Sequence, residues 1–536
     1  MQKEFEQFLE EYEEKVVELS KNANEAYFNA SISGKEEDYK NASLLQTKLS
    51  KVYADKNYFK RIKQIKDADN IEDPILKREL ELIYNDFAGH QFDEELLERI
   101  INLSTEIEQK FATYRAEVEG KKFSDNQIDD ILKESTDSNE LENVWKASKQ
   151  IGKIVSDDVI KLVKMRNESA QKLGYKNYHE MSLLLSEQSY EHLDNLFDEL
   201  DDLTKDAFKL LKEQIDEYLS DNHKIAKEEL MPWHYQDKFF QQGPQIYKTD
   251  LDKYFKEQDL VKITREYFKG VNLDCDDLID NSDLFEKEGK YQHAYCMDVD
   301  RSGDVRVVCN IKSNHRWMST MLHEYGHAVY DKFISQKLPW SLRQPAHIFA
   351  TEAIAMLFGR FASNPVWLKD ILNVSDSEIS DISEDCFNSL KLEQLTFSRW
   401  VQVMYRFEKE MYSNPDQDLN SVWWKLVEKY QMIKKPAERN EPDWASKIHV
   451  ALYPAYYHNY MLGELLASQL YFYIKDKVLK SEEREVSFFN KPEVGEYLKH
   501  LYFSYGSLYK WNELIENATG ENLNPQYYAK QFVGRE

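Results

Sequence analysis

The sequence predicts an all-α protein, and three observations support that fold class. Glycine occurs 16 times and proline 12 times in 536 residues, too rarely for the many tight turns of sandwiches, barrels or dinucleotide-binding folds. Hydrophobic residues make up 42% of the chain and aromatic residues 13%, enough to bury a large core, which excludes wholesale disorder. Apolar residues also recur at helical spacing through most of the sequence.

Amphipathic patterns predict several helices in the first half of the chain. Over residues 5–27, apolar side chains fall on one side of a helix and charged side chains lie between them. Similar patterns predict helices over 44–65, 74–87, 96–118 and 159–173, with breaks at Ser33-Gly34, Asp73-Pro74, Gly120 and Gly174. Their many charged residues are typical of solvated outer faces.

The least helical part of the sequence extends from about residue 230 to residue 314 and is punctuated by proline and glycine. It ends in a β-branched run, residues 305–311, which predicts a short strand. Helical patterns resume after this strand and continue to the C-terminus.

Charge and cysteine content exclude several kinds of partner. Asp and Glu total 97 against 70 Lys and Arg, so the net charge is −27, and such a surface repels nucleic-acid phosphates and anionic membranes. No apolar run could span a bilayer, acids stand where a secretory signal would be apolar, and the four cysteines form no CxxC pair. We therefore expect a soluble, reduced, cytoplasmic enzyme that binds neither nucleic acid nor membrane.

The clearest chemical motif is H-E-x-x-H, formed by His323, Glu324 and His327. Because a helix turns about 100° per residue, positions i and i+4 share a face, and both imidazoles can reach one metal ion. Glu324 lies beside them and could take a proton from a metal-bound water. The motif predicts a single Zn²⁺ site; the alternative is a surface helix with two solvated histidines.

A catalytic zinc site of this kind needs a third protein ligand. Residues 346–358 predict a second helix that is apolar on almost every side, and Glu352 is its only acid. A buried carboxylate needs a positive partner, and a zinc ion would supply it. Glu352 is therefore the predicted third ligand, with a salt bridge to Arg360 as the alternative, and His347 is expected to be structural.

These motifs resemble a known family. The run from His323 to Glu352, with Leu-Pro-Trp-Ser-Leu-Arg at 338–343 between them, is similar to the angiotensin-converting-enzyme family of gluzincin zinc peptidases, in which H-E-M-G-H is followed by L-P-x-x-L-R and H-E-A-I. Segments 307–310, 447–449 and 457–460 resemble the family's V-V-C-H strand, its K-x-H and its paired tyrosines. The thimet-oligopeptidase family shares the zinc motif and a similar H…Y…Y pattern, and is the rival assignment.

The resemblance implies roles for further residues. Tyr460 would donate a hydrogen bond to the oxyanion of the tetrahedral intermediate, and His449 would bind a substrate carbonyl. Asn310 stands where the family has a second carbonyl-binding histidine, and its amide could still donate. The family grips a peptide's C-terminal carboxylate with a lysine, a tyrosine and a glutamine, which here match Lys447, Tyr457 or its neighbour Tyr456, and Gln236.

Some positions depart from the family pattern. Met356 replaces an acid in the helix after the glutamate ligand, and no arginine lies between Tyr457 and Tyr460, so chloride activation is not expected. Cys309 has no cysteine shortly downstream, so the familial disulfide at this strand is absent.

The resemblance and the motifs together predict one gluzincin peptidase unit over residues 1–536. We expect two helical subdomains around a deep central cleft, a helical lid over residues 1–100, and a zinc and substrate-binding core over 305–465 with a short strand beside the zinc. The expected enzyme is a monomer that releases C-terminal dipeptides from short unfolded peptides by Glu-activated, zinc-bound water. The alternatives are a thimet-type endo-oligopeptidase and a peptide-binding protein without catalysis.

Overall fold

Helices make up most of the chain in a computed structural model that describes residues 1–247 and 249–534. The predicted all-α class is confirmed, since the described strands form only two hairpins. The chain divides into two packed units: unit 1 comprises Met1–Gln91, Thr249–Cys386 and Leu462–Tyr528, and unit 2 comprises Phe92–Lys248, Phe387–Met461 and Ala529–Glu536.

Unit 1 contains the N-terminal helices, the second hairpin and the segment with the H-E-x-x-H motif. Its elements are α1 (Gln2–Ser33), α2 (Glu36–Tyr53), α3 (Lys56–Ala68), α4 (Pro74–Gly89), α10 (Asp252–Phe255), α11 (Leu260–Gly270), α12 (Asp276–Asp280), β3 (Tyr295–Asp298), β4 (Val305–Val308), α13 (His315–Lys332), α14 (Ile348–Gly359), α15 (Pro365–Leu372), α20 (Pro492–Leu501) and α21 (Trp511–Thr519).

Unit 2 is built on three long helices and a small hairpin. Its elements are α5 (Glu94–Thr113), β1 (Ala116–Val118), β2 (Lys121–Phe123), α6 (Asp125–Glu134), α7 (Ser138–Lys172), α8 (Tyr178–Leu185), α9 (Tyr190–His223), α17 (Leu419–Leu426) and α18 (Ile448–Leu452). Three of the unit boundaries fall within helices, namely α16 (Asp376–Ser413), α19 (His458–Tyr473) and α22 (Gln526–Phe532).

Local signals explain the helix ends that the sequence predicts. Gly34 ends α1 in the left-handed conformation (φ 67°), which glycine adopts without a Cβ clash. Pro74 opens α4, where its missing N–H costs nothing, and the Asp73 carboxylate caps the first turn. On α1, the predicted apolar side is buried over Phe5, Phe8 and their neighbours. The predicted breaks at 33–34 and 73–74 are confirmed.

Two predicted helices are wrong in extent. Residues 44–65 are split between α2 and α3, because the Asp55 carboxylate accepts hydrogen bonds from the N–H groups of Asn57 and Tyr58 and so starts a new helix. The predicted helix over 96–118 ends at Thr113, and the following residues form strand β1, which pairs with β2. The region 230–314 also holds more helix than its composition predicts, namely α10 to α12.

The second hairpin contains the predicted strand. β3 and β4 are antiparallel, with Cys296 opposite Val307. The other edge of β4 is covered by the chain at Asp283, whose N–H donates to the Val307 carbonyl at 2.9 Å and whose carbonyl accepts from Cys309 N–H at 2.9 Å. The strand predicted over 305–311 is therefore confirmed at Val305–Val308, with both of its edges occupied.

Helix α1 is attached to this hairpin within unit 1. The Asn24 side-chain amide donates to the carbonyls of Asp298 and Val299, at 3.3 and 3.2 Å. Further along, Tyr291 N–H donates to the Ser31 carbonyl at 2.8 Å. The predicted lid role of residues 1–100 stays a prediction.

Two further expectations concern the whole chain. All four cysteines are unpaired, as their spacing predicts. None of the helices in the described residues carries an apolar stretch that could cross a bilayer.

Candidate metal centre

Helix α13 presents the H-E-x-x-H motif. The Asn314 side chain caps the helix by accepting a hydrogen bond from Trp317 N–H at 2.9 Å. His323 and His327 then follow one turn apart, and their ring centroids are 5.0 Å from each other. The helical placement predicted from the sequence is confirmed.

Glu352 on α14 completes a cluster with the two histidines. One of its carboxylate oxygens lies 3.7 Å from His323 Nε2 and 3.8 Å from His327 Nε2. One ligand atom from each residue lies within 4.8 Å of the other two, a spacing that one metal ion could bridge. Arg360, the alternative partner considered for Glu352, forms a salt bridge with Glu464. His347 caps α14 through a ring nitrogen, the structural role expected for it.

Two glycines let the helices approach closely enough to form this cluster. A Cβ at Gly326, between the histidines, would lie 2.8 Å from Ala355 Cα on α14. A Cβ at Gly463 would lie 3.2 Å from the Cβ of Glu352 and 3.0 Å from the sulfur of Met356. Side chains at these positions would push α14 away and displace the carboxylate.

The histidines are held in a form that suits zinc. His327 Nδ1 lies 2.7 Å from the Thr351 hydroxyl, which leaves Nε2 directed at Glu352. Burial lowers the pKa of His323 to about 4 and the pKa of His327 well below its usual value, so both rings are neutral near pH 7. Neutral imidazoles and one carboxylate are a typical zinc donor set, so these residues fit the predicted ion.

Glu324 is buried beside the cluster and is not one of its members. Its carboxylate accepts a hydrogen bond from Cys296 N–H, and it is 8% exposed. Burial, and then the negative charge of Glu352, raise the pKa of Glu324 to about 8. A carboxyl group with a pKa near neutrality can accept a proton and return it.

Strand β3 has an outer backbone edge next to Glu324, which accepts the Cys296 N–H of that edge. Val307 N–H and C=O are bonded to Ser282 and Asp283, away from β3. Its partner Cys296 is therefore in a non-hydrogen-bonded pair and directs its own N–H and C=O away from β4. In the described residues this outer edge of β3 is covered by no further strand. An extended peptide could pair with it.

This arrangement corrects the role predicted for segment 307–310. Because β4 has both edges occupied, it cannot lie against a substrate backbone; the available strand is β3. Asn310 is 4% exposed and its amide donates to the carbonyls of Tyr291 and Gln292, at 3.0 and 3.2 Å, so it has no hydrogen left for a substrate. The exposed His293, which is not among the predicted site residues, lies two residues before β3.

A second group of predicted residues lies in unit 2, and one of them, Lys447, lines a cavity of about 600 Å³. Lys447 Nζ donates to Gln241 Oε1 at 2.6 Å. Burial lowers the pKa of Lys447 to about 8. The predicted Gln236 does not line this cavity, and its amide donates to the Lys133 carbonyl at 3.2 Å. The left-handed backbone at Gln236 (φ 61°) redirects the chain, which the sequence did not reveal.

Of the two candidate tyrosines, Tyr457 lies beside Lys447. The lysine nitrogen is 5.7 Å from the centre of the Tyr457 ring. Trp400 Nε1 donates to the Tyr457 hydroxyl at 2.8 Å, so the phenolic hydrogen remains available to an acceptor. Tyr456 packs its ring against Tyr460, 5.4 Å away between centroids.

His449 and Tyr460 belong to the same group. The ring centroid of Tyr457 lies 5.2 Å from that of His449 and 5.4 Å from that of Tyr460. His449 Nδ1 is buried and has no hydrogen-bond partner among the described residues, and burial lowers the pKa of His449 to about 4. Unit 2 thus brings together Lys447, His449, Tyr457 and Tyr460, with Gln241 beside the lysine; the roles predicted for them stay predictions.

Comparison with known proteins identifies relatives. The family model described as "Peptidase_M2: Angiotensin-converting enzyme" matches residues 1–527. An angiotensin-converting enzyme of Theromyzon tessulatum is 23% identical over 84% of this chain and 78% of its own length. Carboxypeptidase 1 of Bacillus subtilis is 25% identical over 44% of this chain and 50% of its own, and the mouse angiotensin-converting enzyme is 26% identical over 43% of this chain and 18% of its own.

Proposed function

The chain belongs to the angiotensin-converting-enzyme family of peptidases, and we propose that it is a zinc-dependent peptidase that releases dipeptides from the C-terminus of short unfolded peptides. The observation that carries the proposal is the cluster of His323, His327 and Glu352 with the buried Glu324 beside it. These three residues would hold a zinc ion, which would supply a Lewis acid for the hydrolysis of a peptide carbonyl by water.

Glu324 is the proposed general base and acid. Its carboxylate would take the proton from the attacking water and deliver it to the leaving amine as the peptide bond breaks. The hydrogen bond from Cys296 N–H supports this role because it orients the carboxylate through the backbone of β3. Burial beside the cluster supports it as well, since a carboxyl group with a raised pKa can return the proton near neutral pH.

The outer edge of β3, which has no neighbouring strand among the described residues, is the proposed binding site for the substrate backbone. Ala294 and Cys296 face the same edge. The Cys296 N–H is used by Glu324, so an extended peptide could pair with the Cys296 carbonyl and with the backbone of Ala294. His293 is exposed at the start of this edge, and we propose it as the carbonyl-binding residue in place of Asn310. Pairing through the backbone would tolerate many side chains.

The unit 2 group is proposed to stabilise the oxyanion and to hold the end of the peptide. Tyr460 would donate to the developing oxyanion, and His449 would bind a substrate carbonyl. Lys447, Gln241 and the phenolic hydrogen of Tyr457 would bind the C-terminal carboxylate, which explains why a lysine is kept in a buried cavity.

Mass spectrometry of the products from a decapeptide tests the proposed cleavage pattern. We expect successive loss of C-terminal dipeptides by the zinc-loaded enzyme. Internal cuts at several bonds would instead assign the chain a thimet-type endo-oligopeptidase activity with the same zinc chemistry. If the zinc-loaded protein cleaves no bond, the remaining alternative is a peptide-binding protein without catalytic activity.

Removing the grip on the C-terminus should lower activity. Charge-assisted hydrogen bonds contribute roughly 1.5–3 kcal/mol, and about 1.4 kcal/mol is a factor of ten. Amidation of the substrate, or Lys447→Ala, should therefore lower kcat/KM by about tenfold to a hundredfold for short peptides. Lys447→Arg should restore only part of the loss, because a planar guanidinium replaces a point charge.

The control combines substrate amidation with Lys447→Ala, whose effects on kcat/KM should not be additive. If Lys447 acts through the terminal carboxylate, amidation should cost the Lys447→Ala variant much less than it costs the wild type. If amidation lowers kcat/KM equally in both proteins, Lys447 does not bind the terminal carboxylate.

Tyr460→Phe removes one hydroxyl and little volume. We expect kcat to fall by roughly tenfold to a thousandfold with a smaller change in KM, because the hydrogen bond would form mainly in the transition state. Steady-state kinetics on one peptide measure both constants. Tyr473→Phe, at the other end of α19, is the control and should behave as the wild type. An unchanged kcat in Tyr460→Phe would make Tyr460 a packing residue.

A further inference from the structure

Lys149 on α7 is a buried lysine whose ammonium group lacks an anionic partner. Its side chain is 4% exposed, and it forms no hydrogen bond or ion pair with the described residues. The carboxylates that act on it most strongly are already engaged. Asp443 is bound by two nitrogens of Arg439, and Asp237 accepts two backbone hydrogen bonds.

Aromatic contacts do not replace the missing anion. Lys149 Nζ lies 3.2 Å from the ring centre of Phe239 and 5.2 Å from that of Trp145. Such cation–π contacts recover only part of the free energy that is lost when an ammonium group leaves water. Burial accordingly lowers the pKa of Lys149 well below its usual value. A lysine in a cavity wall without a salt bridge can be stabilised in its charged form by a ligand that brings the negative charge.

Lys149 lines the same cavity as Lys447. Both nitrogens approach the Phe239 ring, at 3.2 Å for Lys149 and 5.4 Å for Lys447 from the ring centre. The neighbouring Lys238 is neutralised by salt bridges to Asp125 and Asp129, at 2.7 and 3.1 Å. Asp237 also lines the cavity, but among the described residues neither Lys149 nor Lys447 forms a salt bridge. The cavity therefore offers an incoming ligand two lysines close together that are not paired with a carboxylate.

We propose that Lys149 determines specificity by binding the side-chain carboxylate of an acidic residue at the substrate's C-terminus, while Lys447 binds the terminal carboxylate. The inference rests on the proposed C-terminal dipeptide release. A C-terminal glutamate carries two carboxylates a few bonds apart, which suits two lysine nitrogens that both lie near the Phe239 ring. A neutral residue in this position would leave Lys149 without a partner, and that loss is the source of the discrimination.

Paired substrates test this inference on the zinc-loaded full chain. Two hexapeptides that differ only in a C-terminal Glu or Gln are compared by kcat/KM. We expect the wild type to prefer Glu by about tenfold or more, since the contact is charge-assisted. In Lys149→Met the Glu/Gln ratio should fall to about one, and Lys149→Gln provides a second variant should the first fail to fold.

Lys146→Met is the matched control. Lys146 lies on the same helix, is 44% exposed in its side chain and pairs with Glu142, so this variant should keep the Glu/Gln ratio of the wild type. A wild-type ratio near one, or a preference for Glu that persists without Lys149, would overturn the inference.

The amidated Gln peptide separates this inference from the proposed function. If amidation lowers kcat/KM but Glu has no advantage, only the role of Lys149 is refuted. If amidation has no effect, C-terminal dipeptide release itself is refuted.

Discussion

Glu324→Gln should abolish most peptide cleavage and leave the metal bound. The substitution keeps the shape of the side chain but removes the group that accepts the proton, and general-base catalysis typically contributes about 10²–10⁴-fold. Zinc content should be unchanged, because Glu324 is not a member of the His-His-Glu cluster. Metal analysis and turnover of a quenched peptide on the same preparation measure both results.

Glu79→Gln is the matched control for this variant. Glu79 is another buried glutamate of unit 1; it accepts a hydrogen bond from Ser341, and burial raises its pKa to about 7. This substitution changes a buried carboxylate away from the cluster, so activity should be retained. Near-normal turnover by Glu324→Gln would refute the proposed mechanism.

Glu352→Ala should remove zinc and, with it, activity. Loss of groups that only orient a ligand already weakens metal binding by about 10–100-fold, so loss of a ligand should cost more than about a hundredfold. His323→Ala should behave in the same way. Zinc affinity is measured by competition with a chelator, and circular dichroism reports whether the helical fold survives.

Thr351→Val is the comparison variant for Glu352→Ala, because it should weaken zinc binding to a smaller extent. It removes the hydroxyl that bonds His327 Nδ1 and keeps the ligand itself, so zinc affinity should fall by about 10–100-fold, less than in Glu352→Ala. If Glu352→Ala retains full zinc occupancy under mild chelation, a different residue is the third ligand. Glu464 would then be the next candidate, because its charge acts on both His323 and Glu352.

Features that depend on residues close in sequence could be predicted well. The spacing of His323 and His327 follows from the helical repeat, and an apolar helix with a single acid identified Glu352 before its position was known. Lys447, His449 and the tyrosines near 457–460 are also close in sequence, and they lie together in unit 2.

Predictions failed where a turn or a strand edge decides the outcome. Gln236 and Gln241 are only five positions apart. The backbone is left-handed at Gln236 itself, and it is Gln241 that lies beside Lys447. Asn310 matched a family motif, but its amide hydrogens are used by the carbonyls of Tyr291 and Gln292. Neither contact follows from a residue pattern.

The residue pattern is therefore enough to predict the helical class, the paired histidines and Glu352, because helical periodicity and burial act over a few residues. The fold determines that β3 rather than β4 has an edge without a neighbouring strand beside Glu324, and it leaves Lys149 without a salt bridge among the described residues. These properties depend on hydrogen bonds and salt bridges between segments far apart in the chain, such as Asp283 with Val307. A donor already paired and a donor still free look the same in sequence, and the difference appears only when the distant partner is in place.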